Sequence, residues 1–139
     1  ARVVRFEDRG MITQLTPNLA VDRIEPSAEF FSKVGFEVTV QVPEDDHMGF
    51  AILVNVTQQI MFQTRTSIKD DCPEIEDAST GSPVLIFITV PDVKAVAQAL
   101  SGYDVAMDWR ETFYGSTEIG FREPGGHIVT FAQFPAEEA

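Results

Sequence analysis

Residues 121–133 read FREPGGHIVTFAQ. Phe121 and Arg122 end one extended run, Pro124-Gly125-Gly126 supply a turn, and residues 128–134 alternate into a further strand. That last strand has a counterpart earlier in the chain. Laying Val129-Thr130-Phe131 over Ile60-Met61-Phe62 also lays Ile88-Thr89-Val90 over Leu19-Ala20-Val21 at the same offset, so the chain carries a weak internal repeat. The register slips by two residues within the helices, where Gly35 pairs with Gly102, which predicts a shorter second helix.

Both copies have the same order of elements. In the first, alternation over residues 14–21 predicts a half-buried strand. Pro26 suits a first helical turn, and Ile24, Ala28 and Phe31 recur at helical spacing before Gly35. Strands at 36–42, 50–56 and 58–64 follow, with a polar loop at 43–47 and a tight connection at 55–57. In the second copy a strand at 84–90 precedes Asp92 as N-cap and Val93, Val96, Ala97 and Leu100 on one helical face, with Gly102 near the C-cap. Strands at 105–109, 116–122 and 128–134 complete it. The expectation is an α+β domain of two βαβββ modules, residues 12–66 and 84–135, joined by a linker at 67–83 and forming a curved mixed sheet around a cavity. Residues 1–11 are read as an N-terminal extension; Met11 has the residue type of an initiator, and the segment before it carries no functional weight.

Strand parity separates two faces. Leu15, Leu19, Ile60, Phe62, Ile86, Ile88, Val129 and Phe131 share the side the helices should cover. The other side collects Thr16, Asn18, Gln59, Met61, Gln63, Leu85, Phe87, Thr89, Glu118 and Thr130, the apolar area with sparse polar groups that ligand sites use.

Composition removes several classes. A net charge of −12 repels a phosphate backbone, which argues against nucleic-acid binding. No apolar run is long enough for a membrane helix, no signal-peptide core precedes the first strand, and the lone Cys72 fits a reducing compartment, so the expected address is cytoplasmic. Cys72 also lies among Asp70, Asp71 and Glu74, whose charge disfavours a thiolate. Gly125-Gly126 opens a strand rather than a helix, so no phosphate-binding loop is present.

At Leu15-Thr16-Pro17-Asn18-Leu19-Ala20-Val21, Ile60-Met61-Phe62-Gln63-Thr64-Arg65, Phe113-Tyr114-Gly115 and Arg122-Glu123-Pro124-Gly125-Gly126-His127, the sequence resembles the vicinal oxygen chelate superfamily, which includes glyoxalase I, bleomycin-resistance proteins, fosfomycin-resistance enzymes and extradiol dioxygenases. The resemblance covers residues 12–135. It implies metal-ligand slots that here read Thr16, Met61, Leu85 and Thr130, none a normal ligand for a divalent cation. The two histidines, His47 and His127, fall on a predicted loop and a predicted turn. The resemblance therefore points to the branch without metal or other cofactor, the bleomycin-resistance type, a homodimer that sequesters a small organic molecule.

The candidate ligand contacts are Asn18, Met61, Gln63, Phe87, Trp109, Phe113, Tyr114 and Glu118. The aromatic residues offer stacking faces, Tyr114 a donor, Asn18 and Gln63 neutral hydrogen bonds, and Glu118 a charge for a cationic ligand. A salt bridge from Glu118 to Arg110 or Arg65 is the competing role. The expected ligand is hydrophobic or aromatic, with a cation as one option. The rival readings are a divergent metal-dependent lyase or dioxygenase-like enzyme, and an interaction module whose groove is filled by its own Met61, Leu85 and Phe87.

Overall fold

The computed structural model describes residues 11–75, 81 and 83–136. The first module contains β1 (Asn18–Val21), α1 (Glu25–Ser32), β2 (Glu37–Glu44), β3 (His47–Asn55) and β4 (Gln58–Thr64). After α2 (Arg65–Asp71) the second contains β5 (Leu85–Thr89), α3 (Val93–Ala99), β6 (Asp104–Glu111), β7 (Thr117–Arg122) and β8 (Ile128–Gln133). The two expected βαβββ modules each contribute one four-stranded mixed sheet, of matching topology, β1-β4-β3-β2 and β5-β8-β7-β6. In each, the first strand pairs in parallel with the last, and the rest is antiparallel.

Apolar residues on one face of each sheet meet the helices in one core. Leu19, Val21, Leu53, Ile60 and Phe62 from the first module join Val93, Leu100, Ile119, Phe121, Val129 and Phe131 from the second. Phe30 and Phe31 of α1 pack edge-on at 5.1 Å, and Phe30 reaches Tyr103 of the second module at 5.0 Å. The helical pattern located Phe31 and missed Phe30, which is fully buried. A buried aromatic ring removes some of the largest apolar areas available to the core, so this residue matters as much as its neighbour.

Several expected boundaries are corrected. The first strand begins at Asn18, and Leu15 is 81 % exposed instead of covered. Pro43 and Glu44 end β2 and His47 opens β3, so the expected loop shrinks to a turn at Asp45 and Asp46. The linker begins within a helix: Thr64 caps α2 by accepting a hydrogen bond from the Ser67 amide, and Ile68 is buried. Residues 76–80 and 82 of that linker lie outside the described residues, as do residues 1–10 of the extension. Trp109, Arg110 and Glu111 belong to β6 itself. Ile86 and Ile88 are half-buried on the covered side. Among the described residues no helix is long and apolar enough to cross a membrane.

The β7–β8 turn stitches the modules together. A Cβ at Gly125 would come within 2.5 Å of Val21 and 2.8 Å of the Ser27 hydroxyl, so only glycine lets the turn approach β1 and α1 this closely. His127, 5 % exposed, bonds to the Ala20 carbonyl through Nε2 at 2.9 Å, while its Nδ1 accepts from the Val84 amide at 2.9 Å. An acceptor at Nδ1 requires the proton on Nε2 in the neutral ring, which then donates to Ala20.

Candidate functional site

The open faces, opposite the helices, hold the expected site residues in separate groups. On the first sheet, Asn18 lies beside Met61 in the β1–β4 ladder, and its Nδ2 donates to Gln63 Oε1 at 3.0 Å. Gln63 Nε2 donates in turn to Ser67 Oγ at 3.0 Å, and Gln59 donates to Thr16 at 3.2 Å. These bonds run from β1 through β4 to α2 and fix the orientation of both amides.

Asn18 and Gln63 border two grooves. One, of about 670 Å³, is floored by Val42 and Phe50 and rimmed by Ser67, Asp70 and Asp71. The other, of about 380 Å³, reaches Ala20, Arg65, Ile68 and His127. Glu44, on the rim of the first, accepts from Thr64 Oγ1 at 2.9 Å. The acidic rim was not picked out from the sequence because α2 was read as linker.

On the second sheet, Glu118 is completely buried, and both its oxygens are occupied. Oε1 accepts from Arg110 Nε at 3.2 Å and Nη2 at 2.9 Å; Oε2 accepts from Tyr114 Oη and Ser116 Oγ, each at 2.7 Å. Because Ser116 spends its proton on Glu118, Thr112 donates to Ser116 Oγ at 2.8 Å. Burial pulls the Glu118 pKa upward, but the hydrogen bonds from Ser116, Tyr114 and Arg110 and the nearby guanidinium charge outweigh it and leave it below the ordinary carboxylate value. The same pairing raises Arg110. Of the two arginines weighed as partners for Glu118, Arg110 fills that role, while Arg65 pairs with Asp22 at 2.9 Å.

A β-bulge explains how Arg110 reaches Glu118. Met107 lies opposite Gly120 and Arg110 opposite Glu118, three steps on β6 against two on β7. Without that irregularity, residues three apart on a strand would face opposite sides. Phe113, fully exposed, packs edge-on against Tyr114 at 5.1 Å, and Trp109 is 44 % exposed. Phe87, opposite Thr130 and 53 % exposed, lines a further groove of about 670 Å³ with Gln59, Ile60 and Ile86. The structure thus brings Asn18, Met61 and Gln63 together, brings Phe113, Tyr114 and Glu118 together, and places Phe87 in a groove apart from both sets.

The expected metal slots do not fit a metal. Thr16 is bonded to Gln59, and Met61, Leu85 and Thr130 supply no carboxylate or imidazole. Both nitrogens of His127 are engaged, Nε2 with Ala20 of the first module and Nδ1 with Val84 of its own. Among the described residues no group of three or more His, Cys, Asp or Glu side chains is arranged to hold a metal ion.

The sequence profile of the Glyoxalase/Bleomycin resistance protein/Dioxygenase superfamily matches residues 12–131. The chain belongs to that superfamily. Solved structures share its fold at low identity. TioX from Micromonospora sp. ML1 superposes with a TM-score of 0.70 at 16 % identity, over 88 % of this chain and 99 % of TioX. A bleomycin resistance determinant encoded on transposon Tn5 gives 0.61 at 15 %, over 90 % and 100 % of the two chains. Lactoylglutathione lyase from Agrobacterium tumefaciens gives 0.67 at 16 %, over 87 % and 92 %. No curated protein matches the sequence. Within this superfamily member, the repeat seen in the sequence is the repeated βαβββ order of the two sheets.

Proposed function

We propose that this superfamily member binds a small hydrophobic or aromatic molecule without a metal, and that two copies associate to close the open sheet faces over it. The observation that carries the reading is the bonded Asn18–Gln63 amide pair standing between two grooves on a face of mixed polarity. Concave, partly apolar space with a few oriented hydrogen-bonding groups is what small-molecule recognition requires. A bleomycin-binding protein of the same fold, solved in complex with bleomycin, accords with this reading. The residues at the expected metal slots favour binding over the superfamily's metal-dependent chemistry.

Association is supported by apolar side chains left uncovered on the outer strands and the β6–β7 loop: Val40 is 46 % exposed, Val42 51 % and Phe113 101 %. The filled-groove alternative is weakened by Leu85, which is 78 % exposed instead of packed inward.

A thermal-shift screen over aromatic and drug-like compounds tests the reading. A ligand should raise the melting temperature in proportion to its excess over Kd, and the Gln63→Ala variant should lose most of that rise. A screen without hits, or a stoichiometric metal that survives dialysis, would overturn it. Light scattering should report a mass near twice the 15.4 kDa of one chain.

A further inference from the structure

The second open face holds a guanidinium that is half exposed yet fixed in place by a fully buried carboxylate. Burying a carboxylate costs desolvation, and a buried ion pair is seldom more stable than apolar residues of similar volume. Yet Arg110, Tyr114 and Ser116 all converge on Glu118, with Thr112 behind Ser116. What this arrangement does achieve is to set the position of Arg110. Two bonds to one oxygen, through Nε and Nη2, fix the guanidinium from its side. Besides Glu118 the guanidinium interacts with the side chain of Tyr114, its end makes no further hydrogen bond to the described residues, and the side chain is 52 % exposed.

We propose that Arg110 anchors an anion-reading subsite on the second module, taking the carboxylate of a planar aromatic acid; this deepens the small-molecule reading above and rests on it. The free end of a held guanidinium offers two parallel N–H donors, which match the two oxygens of a carboxylate. Glu118 itself offers a cation no acceptor, since it is fully buried and both its oxygens are taken. The aromatic half of the ligand has surfaces at hand: Tyr114 is 45 % exposed, its hydroxyl tied to Glu118, and Phe113 stands edge-on to it. Holding the donor before the ligand arrives reduces the ordering cost of binding. Glu118 was read from the sequence as a charge for a cationic ligand, and this local geometry points the other way.

Titration calorimetry on the whole chain with 1-naphthoate and with 1-naphthylmethylammonium tests the subsite. Naphthoate should bind, Arg110→Lys should weaken it several-fold, and Arg110→Gln should weaken it about tenfold or more. Because Arg110→Gln leaves a buried carboxylate without its cation, the Arg110→Gln/Glu118→Gln double variant is measured beside it. That variant has no unpaired charge and should keep its fold by circular dichroism while losing naphthoate. Unchanged naphthoate affinity in the double variant would overturn the proposal, as would tighter binding of the ammonium probe that depends on Glu118. If naphthoate fails to bind while a screened compound binds and depends on Asn18 and Gln63, the subsite is wrong and the small-molecule reading stands; if no compound binds, both fall.

Discussion

The two modules repeat one another where they are covered and part company where they are open. At equivalent positions of the repeat, Leu19 answers to Ile88, Ile60 to Val129 and Phe62 to Phe131, all apolar and all turned toward the helices. On the open faces Asn18 answers to Phe87, Met61 to Thr130 and Gln63 to Ala132. The first face has become a neutral amide pair beside empty space, and the second a buried ion pair with aromatic neighbours. Close packing constrains the covered side to apolar residues of suitable volume. The open side is free of that demand, so that is where the copies specialise.

The sharpest way to break this comparison is to disturb the ion pair. Glu118→Gln removes the charge that three donors address and should destabilise the fold by about 1–3 kcal/mol in urea unfolding. A change near zero would mean that the pairing of Glu118 only offsets the cost of burying it. The same group sets an acid dependence. Its pKa is depressed in the fold, so its stabilisation is complete above the ordinary glutamate value of about 4.3. That contribution should disappear as pH falls through the lower folded value, because the unfolded chain takes up the proton first. Melting curves in this acid range should therefore be flatter for Glu118→Gln than for the parent chain.

On the first face, Gln63→Ala removes two side-chain hydrogen bonds and should cost about 1–2 kcal/mol. A loss as large as that at Glu118 would erase the distinction between an open amide face and a closed ionic one. Tyr114→Phe deletes one of the four hydrogen bonds that Arg110, Tyr114 and Ser116 make to Glu118 and should cost about 1 kcal/mol or less by the same measurement. Smallest of all, Val40→Thr and Val42→Thr should shift stability by about 0.5 kcal/mol or less, both being exposed. Their effect should appear instead in sedimentation as weaker self-association.

Much of this was legible beforehand, for identifiable reasons. A period of two assigns faces wherever a strand is regular, which is why Asn18, Gln63 and Glu118 were placed opposite the core side. The same rule failed at Leu15, because the chain has not yet entered the sheet there. Arg110 was weighed as a partner for Glu118, but the bulge that aligns them belongs to the pairing of β6 with β7, which no single strand reveals. Helix α2 escaped because its acidic run resembles a loop, although Thr64 as N-cap and Ile68 as an apolar anchor were both visible. The rim of Ser67, Asp70 and Asp71 that this helix lends to the groove beside Asn18 was missed with it.

The parallel pairing of β1 with β4 also sets a schedule for folding. Residues 18–21 meet residues 61–64, not the strand that follows them in the chain. The antiparallel β2–β3 and β3–β4 pairs join near neighbours and can form early; β1 must wait until the rest of its module has been assembled. The second module repeats this delay, and the His127 bond to Ala20 adds a closure across 107 positions. A ribosome releasing this chain would present β1 before the strand it pairs with, so protection of the Leu19 and Val21 amides in pulsed hydrogen exchange should trail that of β3.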